Sequence, residues 1–258
     1  MDWNELSSVA FRWLHIAAGI LWIGLLYFFN FVNAGFAATM DGETKKKVVP
    51  ELMPRALYFF RWGAAYTWVT GVLLLGLVFY MGGIMFDQGA TWSTGSYVML
   101  AVVFLMFAVY DILAKSLGKD IRVFGAVGFI IIAVVAYLMV EWAQFSYRAY
   151  VIHVGAMLGT IMAANVWMRI WPSQKKIIAA TKEGTAPDPA LVALAGQRSR
   201  HNTYMSVPLV WTMVNAHTTI AASGMFGLPH WVNLLVVVAI GWLVVSLVYD
   251  KAAKVKGF

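Results

Sequence analysis

Seven stretches of the chain are apolar over enough residues to cross a lipid bilayer, and this feature limits the fold more than any other. A helix needs about 20 consecutive, mainly apolar residues to span the hydrocarbon core. Backbone polar groups inside a bilayer must be satisfied within the segment, so these spans are expected to be helices. The sequence predicts an all-α, polytopic helix bundle with about seven transmembrane helices. The predicted spans are 7–32, 56–82, 95–117, 121–145, 148–171, 203–224 and 231–250.

The composition agrees with a chain that has almost no soluble part. Of the 258 residues, 61% are hydrophobic and 12% are charged, and the mean hydropathy is +0.73. Soluble domains are about one quarter charged. We therefore expect a single integral-membrane domain over residues 1–258 that contacts the lipid bilayer. The net charge of +7 indicates cytoplasmic loops and no nucleic-acid partner.

Basic residues are concentrated in alternate connections between the spans. By the positive-inside rule this pattern places the N-terminus outside and the C-terminus in the cytoplasm. Segment 172–202 is then the one long cytoplasmic loop, between the fifth and sixth spans, with a short helix expected from Pro189 to about Arg198. The basic connections contain Lys45, Lys46, Lys47 and Arg55; Lys115, Lys119 and Arg122; Lys175, Lys176, Lys182, Arg198 and Arg200; and Lys251, Lys254 and Lys256.

Three of the five histidines lie inside predicted spans, where a titratable side chain usually marks function. His15 and His153 are about eight and five residues from the outer ends of their helices. His217 is about fourteen residues from the inner end of the sixth span, or about 21 Å along the helix. All three are therefore expected in the outer half of the bilayer. Because the chain has no cysteine, histidine is the main available ligand for a redox centre.

This shared depth predicts a cofactor site. Two of His15, His153 and His217 are candidate iron ligands of a b-type haem, and the third would handle a proton or contact a substrate. Three histidines together would instead bind copper or zinc. No residue is assigned a catalytic role from the sequence.

Residues near two of these histidines fit a haem but also fit simpler functions. Gly19 lies one turn from His15, where a small residue either leaves room for a porphyrin or permits close helix packing. Arg12 and Arg148 lie at the outer ends of the first and fifth spans. Each either pairs with a haem propionate or extends its charge to the membrane surface.

The remaining intramembrane polar residues are given structural interpretations. His201 lies at the cytoplasmic boundary of the sixth span and is a less certain ligand, because no other span offers an inner-half histidine as its partner. Asn202 is expected to cap the helix that follows. We expect Asn165 to form an interhelical hydrogen bond, and Asp111 to lie close to Lys115.

Several sequence blocks together resemble the membrane domain of the bacterial, cytochrome c-linked urate hydroxylase family, also described as urate oxidase N-terminal. The blocks are "RWLHIAAGILWIGLLYFFNF", "RWGAAYTWVTGVLLL", "HVGAMLGTIMAANVWMRIWPSQKKI", "TAPDPAL" and "QRSRHNTYMSVPLVWTMVNAH". The resemblance implies a multi-pass protein of the bacterial cytoplasmic (inner) membrane that oxidises urate. It supports His15, His153, His201 and His217 as motif positions.

Family members pass electrons to a cytochrome c domain fused at the C-terminus. This chain ends at Phe258 without a cysteine to attach a c-type haem, so we expect a separate cytochrome c as the acceptor. The leading hypothesis is a membrane-embedded, b-type haem oxidoreductase that resembles urate hydroxylase. One alternative is a non-catalytic subunit of a larger respiratory membrane complex, with or without haem. Another is a copper-handling membrane protein.

Overall fold

The structure is a computed structural model that describes residues 3–118, 120–215 and 227–255. These residues form an all-α fold, as predicted, with an isolated β-bridge between Phe86 and Phe145. The α-helices are α1 (Trp3–Tyr27), α2 (Ala34–Thr39), α3 (Gly42–Leu74), α4 (Thr94–Ser116), α5 (Ile121–Glu141), α6 (Tyr147–Asn165), α7 (Trp171–Glu183), α8 (Pro189–Asn215) and α9 (His230–Ala252). Three π-helical segments continue α1, α3 and α6, at Phe28–Asn33, Leu75–Tyr80 and Val166–Ile170.

Local sequence signals explain where several of these helices begin and end. Ser93 forms a capping box with Ser96 at the start of α4, and the Asp120 carboxylate accepts from two backbone N–H groups at the start of α5. Such side chains satisfy N–H groups that lack partners in the first turn of a helix. Gly184 ends α7 in the left-handed conformation, at φ 76°, which glycine adopts without steric cost.

Six predicted spans are confirmed as continuous helices that are long and apolar enough to cross a membrane. These are Trp3–Thr39, Gly42–Tyr80, Thr94–Ser116, Ile121–Glu141, Tyr147–Glu183 and His230–Ala252. The remaining predicted span, the sixth at 203–224, is described only as far as Asn215, within α8. The structure carries no membrane, so the orientation of the spans stays a prediction.

Three of these helices are much longer than a bilayer requires. Trp3–Thr39 and Tyr147–Glu183 contain 37 residues each and Gly42–Tyr80 contains 39, which at ~1.5 Å per residue gives about 55–60 Å. The hydrocarbon core is only ~30 Å thick. The basic segment expected as a connection at 33–55 is consequently mostly helical, and α7 continues the fifth span without a break. Only residues 184–188 interrupt the helices of the 172–202 connection.

The prediction that Asn202 caps the sixth span was wrong. Helix α8 begins at Pro189 and runs through Asn202 to Asn215, so this asparagine lies in its interior. The physical reason is that Asn202 has side-chain partners on α6, described below, which make a polar residue acceptable within the helix. Pro208 also lies inside α8.

The chain divides into two compact units, each with its own buried residues. Unit 1 comprises Met1–Phe11, Gly71–Ile161 and Met205–Trp242, and unit 2 comprises Arg12–Thr70, Met162–Tyr204 and Leu243–Phe258. The buried side chains of unit 1 include Met99, Met139, Tyr150 and Met157, and those of unit 2 include Trp22, Leu26, Phe60 and Met162.

Candidate functional site

His153 of unit 1 is completely buried and both of its ring nitrogens are engaged. Its Nδ1 lies 2.6 Å from the carbonyl oxygen of Ala149, one turn earlier on α6. A carbonyl only accepts hydrogen bonds, so Nδ1 carries the proton and donates it. The lone pair of the neutral ring is therefore on Nε2, which accepts from the hydroxyl of Tyr80 at 3.0 Å. This tautomer is the one that presents Nε2 to a metal.

Aromatic side chains surround the His153 ring. The ring centroids of Phe79, Tyr80 and Phe145 lie 5.9, 5.7 and 5.3 Å from that of the imidazole. Phe79 and Tyr80 belong to the π-helical segment that ends the second span. Such segments change the phase of a helix and are frequent at functional sites. The surroundings of His153 are thus dry, with the Tyr80 hydroxyl as the polar group at Nε2.

His15 of unit 2 is held in the same tautomer by a different set of groups. Its Nδ1 lies 3.2 Å from Thr70 Oγ1, and the ring also has a hydrogen bond with the backbone of Thr67. The Thr70 hydroxyl donates to the carbonyl of Tyr66 at 2.6 Å, so it accepts from the ring. Nδ1 then carries the proton, and Nε2 of His15 keeps its lone pair.

Small residues next to His15 are used for close packing between α1 and α3. A Cβ added at Gly19 would lie 3.8 Å from Cγ2 of Thr67. One added at Gly63 would lie 3.3 Å from both the backbone nitrogen and the Cβ of Trp22. The two helix backbones therefore approach closely on this face, which is the packing alternative that the sequence left open for Gly19.

The structure places the other predicted site residues separately. Arg12, in unit 2, is exposed nine residues after the start of α1, and Arg148, in unit 1, is exposed at the start of α6. His217 lies outside the described residues. Because His15 belongs to unit 2 and His153 to unit 1, the convergence of three histidines on one cofactor stays a prediction.

His201 lies in a buried polar cluster of unit 2 and not in a metal-binding group. It is 4% exposed, and its neighbours Arg198, Asn202 and Thr203 are completely buried. Burial, together with the positive charges of Arg198 and Arg200, lowers the pKa of His201 to about 4. Among the described residues, no three His, Asp or Glu side chains are grouped to bind one metal ion.

Asparagine side chains connect this cluster to neighbouring helices. Asn165 Nδ2 donates to Asn202 Oδ1 at 2.8 Å, and Asn202 Nδ2 donates to the carbonyl of Met162 at 3.0 Å. The predicted interhelical hydrogen bond of Asn165 is therefore confirmed. The expected proximity of Asp111 to Lys115 is also confirmed, because their charged groups form an ion pair at 2.8 Å.

A second connection joins the cluster to α9 through a π-helical segment. Asn30, in the π-helical continuation of α1, donates to Ser199 Oγ at 2.8 Å and accepts from the hydroxyl of Tyr249 at 2.9 Å. The guanidinium of Arg200 lies 4.8 Å from the Tyr249 ring centre, within the range of a cation–π contact. The block "RSRHNTY" thus fastens α8 to three other helical segments of unit 2.

Sequence reasoning missed Tyr80, Thr70 and Asn30. Each lies in an apolar run where an isolated hydroxyl or amide is unremarkable. Tyr80 and Asn30 also lie in π-helical turns, so the usual helical spacing does not reveal the face on which they project. The signal that would have found Thr70 is its spacing of three from Thr67, which places both threonines on one face of α3.

The fold and these clusters define an all-helical, multi-pass membrane protein in which two described histidines of the spans, His15 and His153, carry their proton on Nδ1 and their lone pair on Nε2. The chain belongs to the urate oxidase N-terminal family, whose family model matches residues 40–256. That range includes His153, His201 and His217, whereas Arg12, His15 and Gly19 precede it. No curated protein and no solved structure matches the chain.

Proposed function

We propose that the protein is a membrane-embedded oxidoreductase of the urate hydroxylase type. Two of His15, His153 and His217 would hold a b-type haem, and electrons would leave to a separate cytochrome c. When bound, the haem supplies a centre that accepts and passes on single electrons. The proposal concerns a protein of the bacterial inner membrane with urate as its substrate, in keeping with its family.

The observation that best supports haem binding is the matched state of two histidines. In both His15 and His153 the chain itself fixes the proton on Nδ1, through Thr70 in one case and Ala149 in the other. Histidine ligands of metals are typically oriented in this way by a hydrogen bond from the second ring nitrogen.

Other residues of the chain would exclude water, bind the haem propionates and accept a proton. Phe79 and Phe145 keep bulk water away from the His153 ring, and Tyr80 controls access to Nε2. Arg12 and Arg148, both exposed, are suited to carboxylates such as haem propionates. The intramembrane histidine that does not bind iron would accept the proton that urate releases, since an imidazole titrates near neutral pH.

An absorption spectrum of the purified full-length protein tests the proposal directly. A dithionite-reduced spectrum with the α band of a b-type haem is expected, and urate should produce the same reduced bands under anaerobic conditions. His15→Ala, His153→Ala and His217→Ala should identify the axial pair by loss of the band, with His201→Ala as the matched control that keeps it. A colourless protein, or a haem that survives all three substitutions, would refute the site.

A further inference from the structure

Unit 1 contains an apolar groove between α5 and α9 that the proposed oxidoreductase site does not use. It encloses about 460 Å³ and is open along one side. Arg122 is the one charged residue among those that line it. The lining residues are Ile121, Arg122, Gly125, Ala126, Phe129, Ile130 and Trp242.

Small residues on α5 create the floor of this groove, and an indole forms one wall. A Cβ added at Gly125 would lie 3.8 Å from the Trp242 ring, an ordinary van der Waals contact, so the indole packs close to α5 at this glycine. Phe129 packs against Trp242 edge to face, with ring centres 6.0 Å apart. From Ile121 to Ile130 the groove follows about 14 Å of helix, at ~1.5 Å per residue, and it carries apolar side chains beyond Arg122.

Charge is found at one end of the groove only. Arg122 is exposed in the first turn of α5, next to the basic connection that the positive-inside pattern places in the cytoplasm. Asp120 is close by, but its carboxylate accepts hydrogen bonds from the backbone N–H groups of Arg122 and Val123. Arg122 lines the groove and Asp120 does not, so the Arg122 guanidinium is the charged group available to a ligand there.

We propose that this groove binds an anionic phospholipid, with an acyl chain lying along Ala126, Ile130 and the Trp242 indole and the phosphate at Arg122. The arrangement has the two parts that such a lipid requires, an apolar channel within a membrane span and a cation at the level of the headgroups. An anionic headgroup near one Lys or Arg gains enough to favour it about fivefold over a zwitterionic one. The proposal does not depend on haem or on urate.

Fluorescence quenching by brominated lipids tests the proposal, because Trp242 lies inside the groove. The full-length protein is reconstituted in vesicles that contain equal mole fractions of brominated phosphatidylglycerol or brominated phosphatidylcholine. The contribution of Trp242, one of 12 tryptophans, is the difference between the wild type and Trp242→Phe. We expect phosphatidylglycerol to quench this contribution with about fivefold higher apparent affinity.

Three variants separate the parts of the proposed site. Arg122→Gln should remove the preference and leave quenching by phosphatidylcholine unchanged, whereas Gly125→Leu should reduce quenching by both lipids. Gly128→Leu is the matched control, since Gly128 is on the same helix, has open space around it and does not line the groove. Equal quenching of the wild type by both lipids would show a groove that accepts any acyl chain and would overturn the proposal.

A second measurement covers the case in which Trp242→Phe does not fold. Native mass spectrometry of the wild type should retain phosphatidylglycerol after detergent removal, and Arg122→Gln should retain about fivefold less of it. The same retention by both chains would also overturn the proposal.

Discussion

The hydroxyl of Tyr80 donates to Nε2 of His153 across 3.0 Å and so occupies the ring nitrogen that would coordinate iron. The bond joins a π-helical segment at the end of the second span to the second turn of α6, near the start of the fifth span. Tyr80 and a haem iron would therefore compete for one lone pair. Tyr80 is therefore a positioning residue. Its removal should destabilise the haem-free protein but favour the binding of haem.

Tyr80→Phe should lower the thermal stability of the haem-free protein and raise its affinity for haem. Without the hydroxyl, the buried Nε2 of His153 loses its donor, at a cost of about 1–3 kcal/mol. In the wild type, haem can bind Nε2 of His153 only after the hydrogen bond from Tyr80 is broken. The variant has no such bond to break, so its haem affinity should be higher. The measurements are thermal unfolding with and without added haem, and a haem titration followed by absorbance.

Tyr97→Phe is the control for this substitution, because Tyr97 is 62% exposed and the same atom is removed at the surface. Unchanged haem affinity in Tyr80→Phe, together with loss of haem in His153→Ala, would show that Tyr80 does not compete for the ligand nitrogen.

Thr70→Val should weaken haem binding if His15 is an iron ligand. Valine keeps the shape of threonine but cannot accept from Nδ1 of His15, so the ring loses one of the groups that fix its orientation. Loss of such a partner typically lowers metal affinity by about 10- to 100-fold. Haem affinity would be measured by titration of the purified variant.

Thr67→Val is the matched control on the same face of α3. The Thr67 hydroxyl donates to the carbonyl of Gly63, and the variant keeps the backbone of Thr67 that contacts His15. Equal haem affinities of the two variants would argue against His15 as a ligand.

The spans were predictable from the sequence because apolar length is a property of consecutive residues. Hydrophobic runs predicted six of the observed spans. The predicted and observed helix ends differ mainly where the helices extend into basic segments, as at Lys45 and Lys182. Those extensions were missed because charge alone does not distinguish a solvated helix from a connection. In the structure the Lys46 side chain, on α3, reaches the glycine that ends α7. It comes within 2.7 Å of a Cβ built on Gly184.

The candidate site was predictable only in part, because its decisive contacts join distant residues. His153 could be singled out as an intramembrane histidine, but its partner Tyr80 is 73 residues away. Asn202 was mistaken for a helix cap because a polar residue before an apolar run often has that function. Its actual partner, Asn165, is 37 residues away on α6, and no local pattern indicates that pairing.

Gly155→Ala should destabilise the protein much more than Gly159→Ala, although both positions lie on α6. A Cβ at position 155 would overlap Thr212 Oγ1 and lie 3.0 Å from Thr212 Cβ on α8. A Cβ at position 159 would only meet Leu209 Cδ1 at 3.7 Å, which is an ordinary contact. Overpacking of this kind typically costs about 1–3 kcal/mol. Unfolding temperatures in detergent would compare the variants, and similar values for the two would contradict the close approach of α6 and α8.

His201 should make the folded protein less stable as the pH falls below about 6.5. Its pKa in the folded protein is about 4, whereas an unfolded chain has the ordinary value of about 6.5. Between these values the unfolded chain binds the extra proton, so acid favours unfolding. The stability from this group is complete above about pH 6.5 and decreases by up to about 3 kcal/mol as the pH approaches 4.

His201→Gln tests this pH dependence, because glutamine is polar but does not titrate. Thermal unfolding of the wild type and the variant would be measured from pH 4 to 8. The wild type should lose stability relative to the variant below pH 6.5, and the two should run in parallel above it. The positive charge of Arg200 opposes protonation of His201. Arg200→Gln removes this charge, so in that background the loss of stability in acid that depends on His201 should be smaller. Parallel curves over the whole range would show that His201 titrates in the folded protein as it does in an unfolded chain.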